Sequence, residues 1–368
     1  MKIKHGLLSV LASLLVAALV IPGCAAPAPA PAPAPETFEF VYSNFSAESN
    51  EFWSILPQKL WDKIYERSGG RITVRTVHGG ALLTETDMAE GVGSGVADIG
   101  SLYTGYGSML HLVNCLGGVL DLKVGAELGE EGVTLIHKKM FEQFPPYREE
   151  LGKVNCTLAY TVASDGYAII MREPVTSLAD LAGRKVRMPG KYLPKLAEAG
   201  GFTPVSMSAH DIYVSLSTGL LDGATSTTEF IRGGKWYEVA SHLFFPCPEG
   251  MCVPTPLAAV NYVIMNQDSY NKLPADLKKI WDDAAAEQWE IAAKRMAEIR
   301  EIATQKMVDE GTAVEYLSEK DWKAWIAACP DWLQMVEDDL NEMGDPGTDF
   351  VALFKKLSAD YAAGKLTW

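Results

Sequence analysis

Gly183-Arg184-Lys185-Val186-Arg187 is a short alternating run stopped by Pro189-Gly190, the pattern of a β-strand that ends on a permanent cation. Arginine presents a planar fork of parallel N–H donors that matches a carboxylate, and it stays charged at any workable pH. Open α/β sheets hold ligands beyond the carboxyl ends of their strands, so Arg187 is placed to grip a small anion. Arg184 and Lys185 are expected to face solvent. Downstream, Asp211-Ile212-Tyr213-Val214-Ser215-Leu216 reads as a helix whose tyrosine, taken alone, is a packing residue. Glu229 and Phe230 follow Thr227-Thr228, which on local grounds makes Glu229 a capping carboxylate at a helix start. Trp236, beside Tyr237, either walls a pocket or packs on a helix face. In the N-terminal half, Asn44, Phe45 and the run Tyr103-Thr-Gly-Tyr106 follow strand ends, where loops supply hydrogen bonds and apolar wall to a cleft.

The elements that must position these residues alternate in type. Phe38-Glu-Phe-Val-Tyr-Ser43 is a strand by its period of two, and a helix follows through Phe52, Leu56, Leu60 and Ile64, ending at Ser68-Gly69-Gly70. Arg71 to Val77 is a second strand, Thr84 to Val92 a helix, and Ala97 to Gly100 a third strand. The order recurs later: strand Val186 to Met188, helix Tyr192 to Glu198, strand Thr203 to Met207, helix Asp211 to Ser217, strand Asp222 to Ser226. Gly95-Val-Ala-Asp98 and Gly219-Leu-Leu-Asp222 each close a helix on a left-handed glycine and open a strand. Two α/β lobes with matching wiring follow from this repetition. Lys272 to Met307 then reads as one helix, with Leu277, Ile280, Trp281, Ala284, Ala285, Ile291, Met296, Ile299 and Ile302 as its apolar stripe. Such a helix spans roughly 50 Å, long enough to brace both lobes. A returning strand over Thr312 to Leu317 and two further helical segments close the chain.

The N-terminus reads as an export signal. Lys2 and Lys4 precede an apolar stretch from Leu7 to Ile21, shorter than the ~20 residues of a bilayer span, and Val20-Ile21-Pro22-Gly23-Cys24 follows. The Gly-Cys ending resembles a bacterial lipobox, which implies cleavage before Cys24 and lipidation of its thiol. Ala25 to Pro35 alternates alanine and proline, a semi-rigid polyproline spacer of about 30 Å. Roughly 330 residues remain from Thr37, enough for two lobes. The chain carries 32 basic and 47 acidic side chains, a net charge of −15, which argues against nucleic acid or an anionic lipid surface as ligand. A small anion is still admissible, because a buried arginine acts at a few Å while the global field is screened over ~8–10 Å. Cys247 and Cys252 either close a small disulfide loop or stay as thiols. The scattered histidines make a zinc site improbable. The chain carries no Gly-x-Ser-x-Gly elbow, His-Glu-x-x-His pair or Gly-x-x-x-x-Gly-Lys phosphate loop, and is read as a non-enzyme without an obligatory cofactor.

The segment Ser177-Leu-Ala-Asp-Leu-Ala-Gly-Arg-Lys-Val-Arg187, with Asp211 to Gly223 after it, resembles the middle of the solute receptors of tripartite ATP-independent periplasmic (TRAP) transporters, the DctP-like family. The likeness covers roughly residues 37 to 310 and is strongest from 177 to 265. It implies an α/β, two-lobed, periplasmic-binding-protein-like clamshell with mostly parallel sheets and a long lobe-bracing helix. The implied division is 1–23 leader, 24–36 lipidated linker, 37–164 plus 255–300 lobe I, 165–254 plus 301–345 lobe II, and 346–368 a C-terminal helix. Arg187 would clamp the ligand carboxylate, Tyr213 would be a pocket tyrosine, and Glu229-Phe230 matches a Glu-aromatic pair of the 2-oxo-acid-binding branch. There the glutamate helps hold a metal ion beside the ligand. The implied partners are a small organic carboxylate and the membrane permease, with a homodimer through the C-terminal helices as in some relatives of that branch. About twenty positions before Arg187, where many relatives carry a second polar or cationic ligand residue, this chain has Gly166 between Asp165 and Tyr167, so the family's best-known ligands are not assumed. The rival readings are a receptor for an ATP-driven importer and a non-binding surface lipoprotein.

Overall fold

The computed structural model describes residues 35–103, 110–118, 122–164, 166–250 and 260–368. The leader, Cys24, most of the Ala-Pro tract, Tyr106, Asp165 and Cys252 lie outside them. Thr37–Trp368 forms one compact unit that contains two sheets. The first is built from β1 (Phe38–Ser43), β2 (Ile72–Val77), β3 (Ile99–Tyr103), β4 (Cys156–Ala163) and β10 (Val260–Asn266), in the order β2-β1-β3-β10-β4. The second uses β5 (Tyr167–Met171), β6 (Lys185–Arg187), β7 (Thr203–Val205), β8 (Gly223–Thr227), β9 (His242–Phe245) and β11 (Ala313–Tyr316), in the order β11-β9-β5-β8-β6-β7.

Both sheets are mixed, where the sequence pattern had suggested mostly parallel ones. β1 pairs in parallel with β2 and β3, and β6 with β7 and β8, as the β-α-β repeats require. β10 runs antiparallel to β3 and β4, and β5 antiparallel to β8 and β9. The cause is the chain path. It leaves the first sheet after β4 to enter the second as β5, and returns from β9 to β10, so these strands do not belong to a β-α-β repeat. The chain crosses once more from β10 to β11 through the helix Ala275–Asp309. This is a two-lobed clamshell. The turns Gly95 and Gly219 adopt the left-handed backbone expected of them, with φ of 82° and 74°.

The long helix runs for 35 residues and packs on β4, on the helix Leu56–Arg67 and on the helix Thr228–Gly233, so it touches elements of both lobes. Trp281 stacks on Trp61 at 5.6 Å and meets Phe40 edge-on at 6.0 Å, tying the helix to the first core. The buried stripe differs in part from the sequence reading. Ile291 and Ile302 point outward, while Ala292, Ala293 and Ala303 are buried and let the neighbouring elements approach closely. Three helices rather than two close the chain, at Glu319–Ala328, Trp332–Met343 and Gly347–Ala362, and Phe350 of the last packs on Phe144 at 5.7 Å. Cys247 is disulfide-bonded, and its expected partner Cys252 lies outside the described residues.

The contrast along the brace is measurable. Trp281→Ala should cost about 3–5 kcal/mol in denaturant unfolding, whereas Ile291→Ser, on the exposed face, should shift stability by no more than about 0.5 kcal/mol. Equal costs at both positions would show that the buried stripe is misassigned.

Candidate functional site

The site begins with the hairpin-like segment ahead of β6. The Asp180 side chain accepts hydrogen bonds from Thr176 N at 2.9 Å, Thr176 Oγ1 at 3.0 Å and Ser177 N at 2.8 Å, which folds residues 176–181 into a tight turn. Those donors, the Thr176 amide foremost, hold the carboxyl at about 2. Arg184 then anchors its Nε on the Asp180 carbonyl at 2.6 Å, and the strand emerges with Lys185 exposed and Val186 and Arg187 buried. Arg187 is 3% exposed. Its Nε donates to the Met207 carbonyl at 3.3 Å and one Nη to the Thr225 carbonyl at 3.2 Å, so main chain from the turn after β7 and from β8 fixes the fork. Tyr167, at the start of β5, has its hydroxyl pushed well above the ordinary tyrosine range by burial, with the Arg187 charge acting in the opposite direction.

Arg187 lines a cavity together with Phe45, Trp53, Glu85, Tyr103, Ala209, Ser226, Thr227 and Phe230. The first-sheet contributions come from just past β1, from the turn Glu51–Ile55, from the loop after β2 and from the end of β3. The second-sheet contributions come from the ends of β6 and β8, the turn after β7 and the helix after β8. Strand ends of both lobes therefore converge on one volume, the arrangement that favours ligands in α/β proteins. Its wall is aromatic: Phe45 lies 4.9 Å from Trp53, 6.4 Å from Tyr103 and 6.4 Å from Phe230, and Trp53 lies 5.5 Å from Tyr103.

Of the residues singled out from sequence, Arg187, Phe45, Tyr103 and Phe230 line this cavity, and Asn44, Tyr213, Glu229 and Trp236 do not. Asn44 is fully buried behind the wall. Its Nδ2 donates to the Trp53 carbonyl and to Ser54 Oγ, both at 2.7 Å, and its Oδ1 accepts from Ser46 N, so it holds Trp53 in place. Tyr213 is half-buried and turns its hydroxyl to Glu238 at 3.2 Å, because its helix buries Ile212, Ser215 and Leu216 instead. Trp236 sits in the second core against Phe230 at 5.6 Å. Glu229 is 3% exposed and receives Arg232 on both oxygens, at 2.7 and 2.6 Å, while the Glu51 amide donates across the lobes at 3.1 Å. That geometry corrects the metal reading for Glu229: its oxygens are engaged by protein donors, and the close His/Asp/Glu grouping among the described residues, His111–Glu150–Asp345, does not include it.

Sequence reasoning missed Trp53, Glu85, Ala209, Ser226 and Thr227. The strand-end rule that pointed to Arg187 could have flagged Ser226 and Thr227 as well. Trp53 carries no local signal, since an aromatic at the start of a helix usually reads as core.

Two mixed α/β sheets, wired by three crossings around an aromatic cavity that contains a guanidinium, define a two-lobed solute-binding protein. The family model of the bacterial extracellular solute-binding protein, family 7 (DctP) matches residues 44–339, and the chain belongs to that family. Among curated proteins it is similar to the ectoine-binding periplasmic protein TeaA of Halomonas elongata, 27% identical over 50% of this chain and 51% of that one. It is also similar to the C4-dicarboxylate-binding periplasmic protein DctP of Rhodobacter capsulatus, 28% identical over 51% and 53%. The chain thus spans about half the length of these relatives, which are solute-binding proteins and not enzymes. Among solved structures, a TRAP solute-binding protein from Rhodoferax ferrireducens with copurified benzoate superposes with a TM-score of 0.78 at 19% identity, covering 89% of this chain and 99% of that one. One from Desulfovibrio salexigens gives 0.72 at 23%, covering 88% and 96%. At these identities the likeness is one of fold. Among the described residues no helix is long and apolar enough to cross a membrane.

Two outcomes test these assignments. Asp180 has a folded pKa below its unfolded value of ~3.9, so its contribution is present above that pH and is lost as pH falls toward about 2. An NMR titration should place its carboxyl near 2, and Asp180→Asn should remove that part of the acid sensitivity; an ordinary midpoint would refute the turn. Glu229→Gln should lower stability by about 1–3 kcal/mol by unpairing Arg232, with metal content by mass spectrometry unchanged. Loss of a stoichiometric ion in the variant would restore the metal role.

Proposed function

We propose that the protein is the extracytoplasmic receptor of a TRAP-type, ion-gradient-driven permease, and that it captures a small organic carboxylate in the interlobe cavity. The observation that carries this reading is Arg187, a permanent cation 3% exposed, aligned by two main-chain carbonyls and walled by aromatic rings. In so dry a setting the fork is worth more to a carboxylate than it would be in water. Capture involves no covalent chemistry. The acid binds the closed form better than the open one and so shifts the population of lobes toward closure, and the closed receptor docks on the permease. Lipidation of Cys24 would hold the receptor at the membrane surface, with the Ala-Pro tract as spacer. Pairing of two copies through the C-terminal helices belongs to the same proposal. The named relatives bind ectoine or C4-dicarboxylates, and structural neighbours hold benzoate, pyroglutamate or β-D-galacturonate. Their common demand is a site for a carboxylate, which supports the reading without choosing the acid. Neither an ATP-driven importer nor a passive surface lipoprotein is favoured by these relatives.

The test is calorimetry on ligand-stripped protein with a panel of organic acids. Each hydrogen bond to a charged group is worth about 1.5–3 kcal/mol, so losing the fork in Arg187→Ala should weaken binding roughly 100-fold or more. The variant should still give a native circular dichroism spectrum. Near wild-type affinity in that variant would remove Arg187 from the ligand and the proposal with it.

A further inference from the structure

The cavity contains a second charged side chain of the opposite sign. Glu85, in the turn between β2 and the helix Met88–Gly93, is 6% exposed and lines the same volume as Arg187. Its Oε1 accepts from Ser208 Oγ at 3.3 Å. Its Oε2 is buried without a hydrogen bond, and Nε2 of the outward-lying His210 is 3.8 Å away. A buried carboxylate oxygen left without a donor is costly, and natural sites retain such groups where something else completes them. An anion receptor gains nothing from a second negative charge in its cavity unless the solute carries a matching positive one, because like charges repel strongly where water is excluded.

We propose that the solute is a compact zwitterion, with its carboxylate on Arg187 and a protonated or quaternary nitrogen toward Glu85; this rests on the carboxylate reading above and narrows its class. The aromatic wall agrees with the assignment. Phe45, Trp53, Tyr103 and Phe230 surround the cavity, and ring faces attract cations, most strongly when these are desolvated. The same rings would accept a flat aromatic acid, and Glu85 discriminates between the two. Benzoate brings no proton to its free oxygen, and a phenolic hydroxyl satisfies the hydrogen bond while leaving the charge uncompensated. A dicarboxylate would set its second anion against Glu85. Glu85 also borders the neighbouring groove lined by Pro189, Gly190, Ser206 and His210.

The experiment is calorimetry on the full chain, stripped of copurified solute, with ectoine, L-proline, benzoate, 3-hydroxybenzoate and succinate. The wild type should bind at least one zwitterion at least tenfold tighter than each of the three acids that lack a cationic nitrogen. Glu85→Gln keeps the shape and one hydrogen-bonding oxygen but removes the charge. It should cost the zwitterion at least tenfold and leave the plain acids unchanged or tighter. Should the Gln variant lose its native thermal transition, Glu85→Asp keeps the charge and should retain the zwitterion's rank. Succinate, benzoate or 3-hydroxybenzoate binding more tightly than both zwitterions overturns the inference, as does an unchanged ranking in Glu85→Gln, and either result leaves the carboxylate receptor standing. Silence from all five compounds in the wild type counts against the carboxylate reading itself.

Discussion

A guanidinium kept out of water at the end of a three-residue strand is the constraint around which this molecule is arranged. A buried cation is unstable unless donors find acceptors, and Arg187 finds two of them in the carbonyls of Met207 and Thr225. Those carbonyls fix the direction in which the fork points.

The wiring of the lobes follows from that need. A dry volume large enough for a metabolite cannot be opened inside one close-packed core, but it can be enclosed between the strand ends of two sheets. The sheets are joined at β4–β5, at β9–β10 and along the helix Ala275–Asp309, so the lobes can part while the chain stays continuous. Polar and aromatic contacts both cross the gap, Phe45 meeting Phe230 at 6.4 Å. The Glu51 amide donates to Glu229, and Ser208 reaches Glu85, which suits surfaces that must separate and rejoin. Trp281 packs with Trp61 and Phe40 in one lobe, and Trp236 backs the cavity-wall residue Phe230 in the other.

Legibility in the sequence tracked locality. The strand Lys185–Arg187 was readable because alternation and a Pro-Gly stop are encoded within a few residues, and the paired glycine turns at Gly95 and Gly219 for the same reason. β4, β5, β9 and β10 were not read as strands. Tyr167–Met171 and Val260–Asn266 are buried along their whole length, so no alternation of polar and apolar residues marks them. Missing them hid the antiparallel pairings. Within the site, Phe45 and Tyr103 were found by the strand-end rule and Phe230 by the family's Glu-aromatic pair, which also made Glu229 a ligand group, while Asn44 was taken for one because it follows a strand end. What sets Asn44 and Glu229 apart is whom they bond, Trp53 and Arg232 respectively, and that depends on the fold. Glu85 stood in a turn with three other polar residues, and its burial beside Arg187 is a long-range fact with no local signature.

The most direct measurement is a crystal structure of the protein with its copurified or soaked acid. Electron density is expected in the aromatic cavity, with the carboxylate engaged by the Arg187 fork in two parallel hydrogen bonds of about 2.7–2.9 Å. An acid held elsewhere on the molecule, with Arg187 still bonded only to protein atoms, would contradict it.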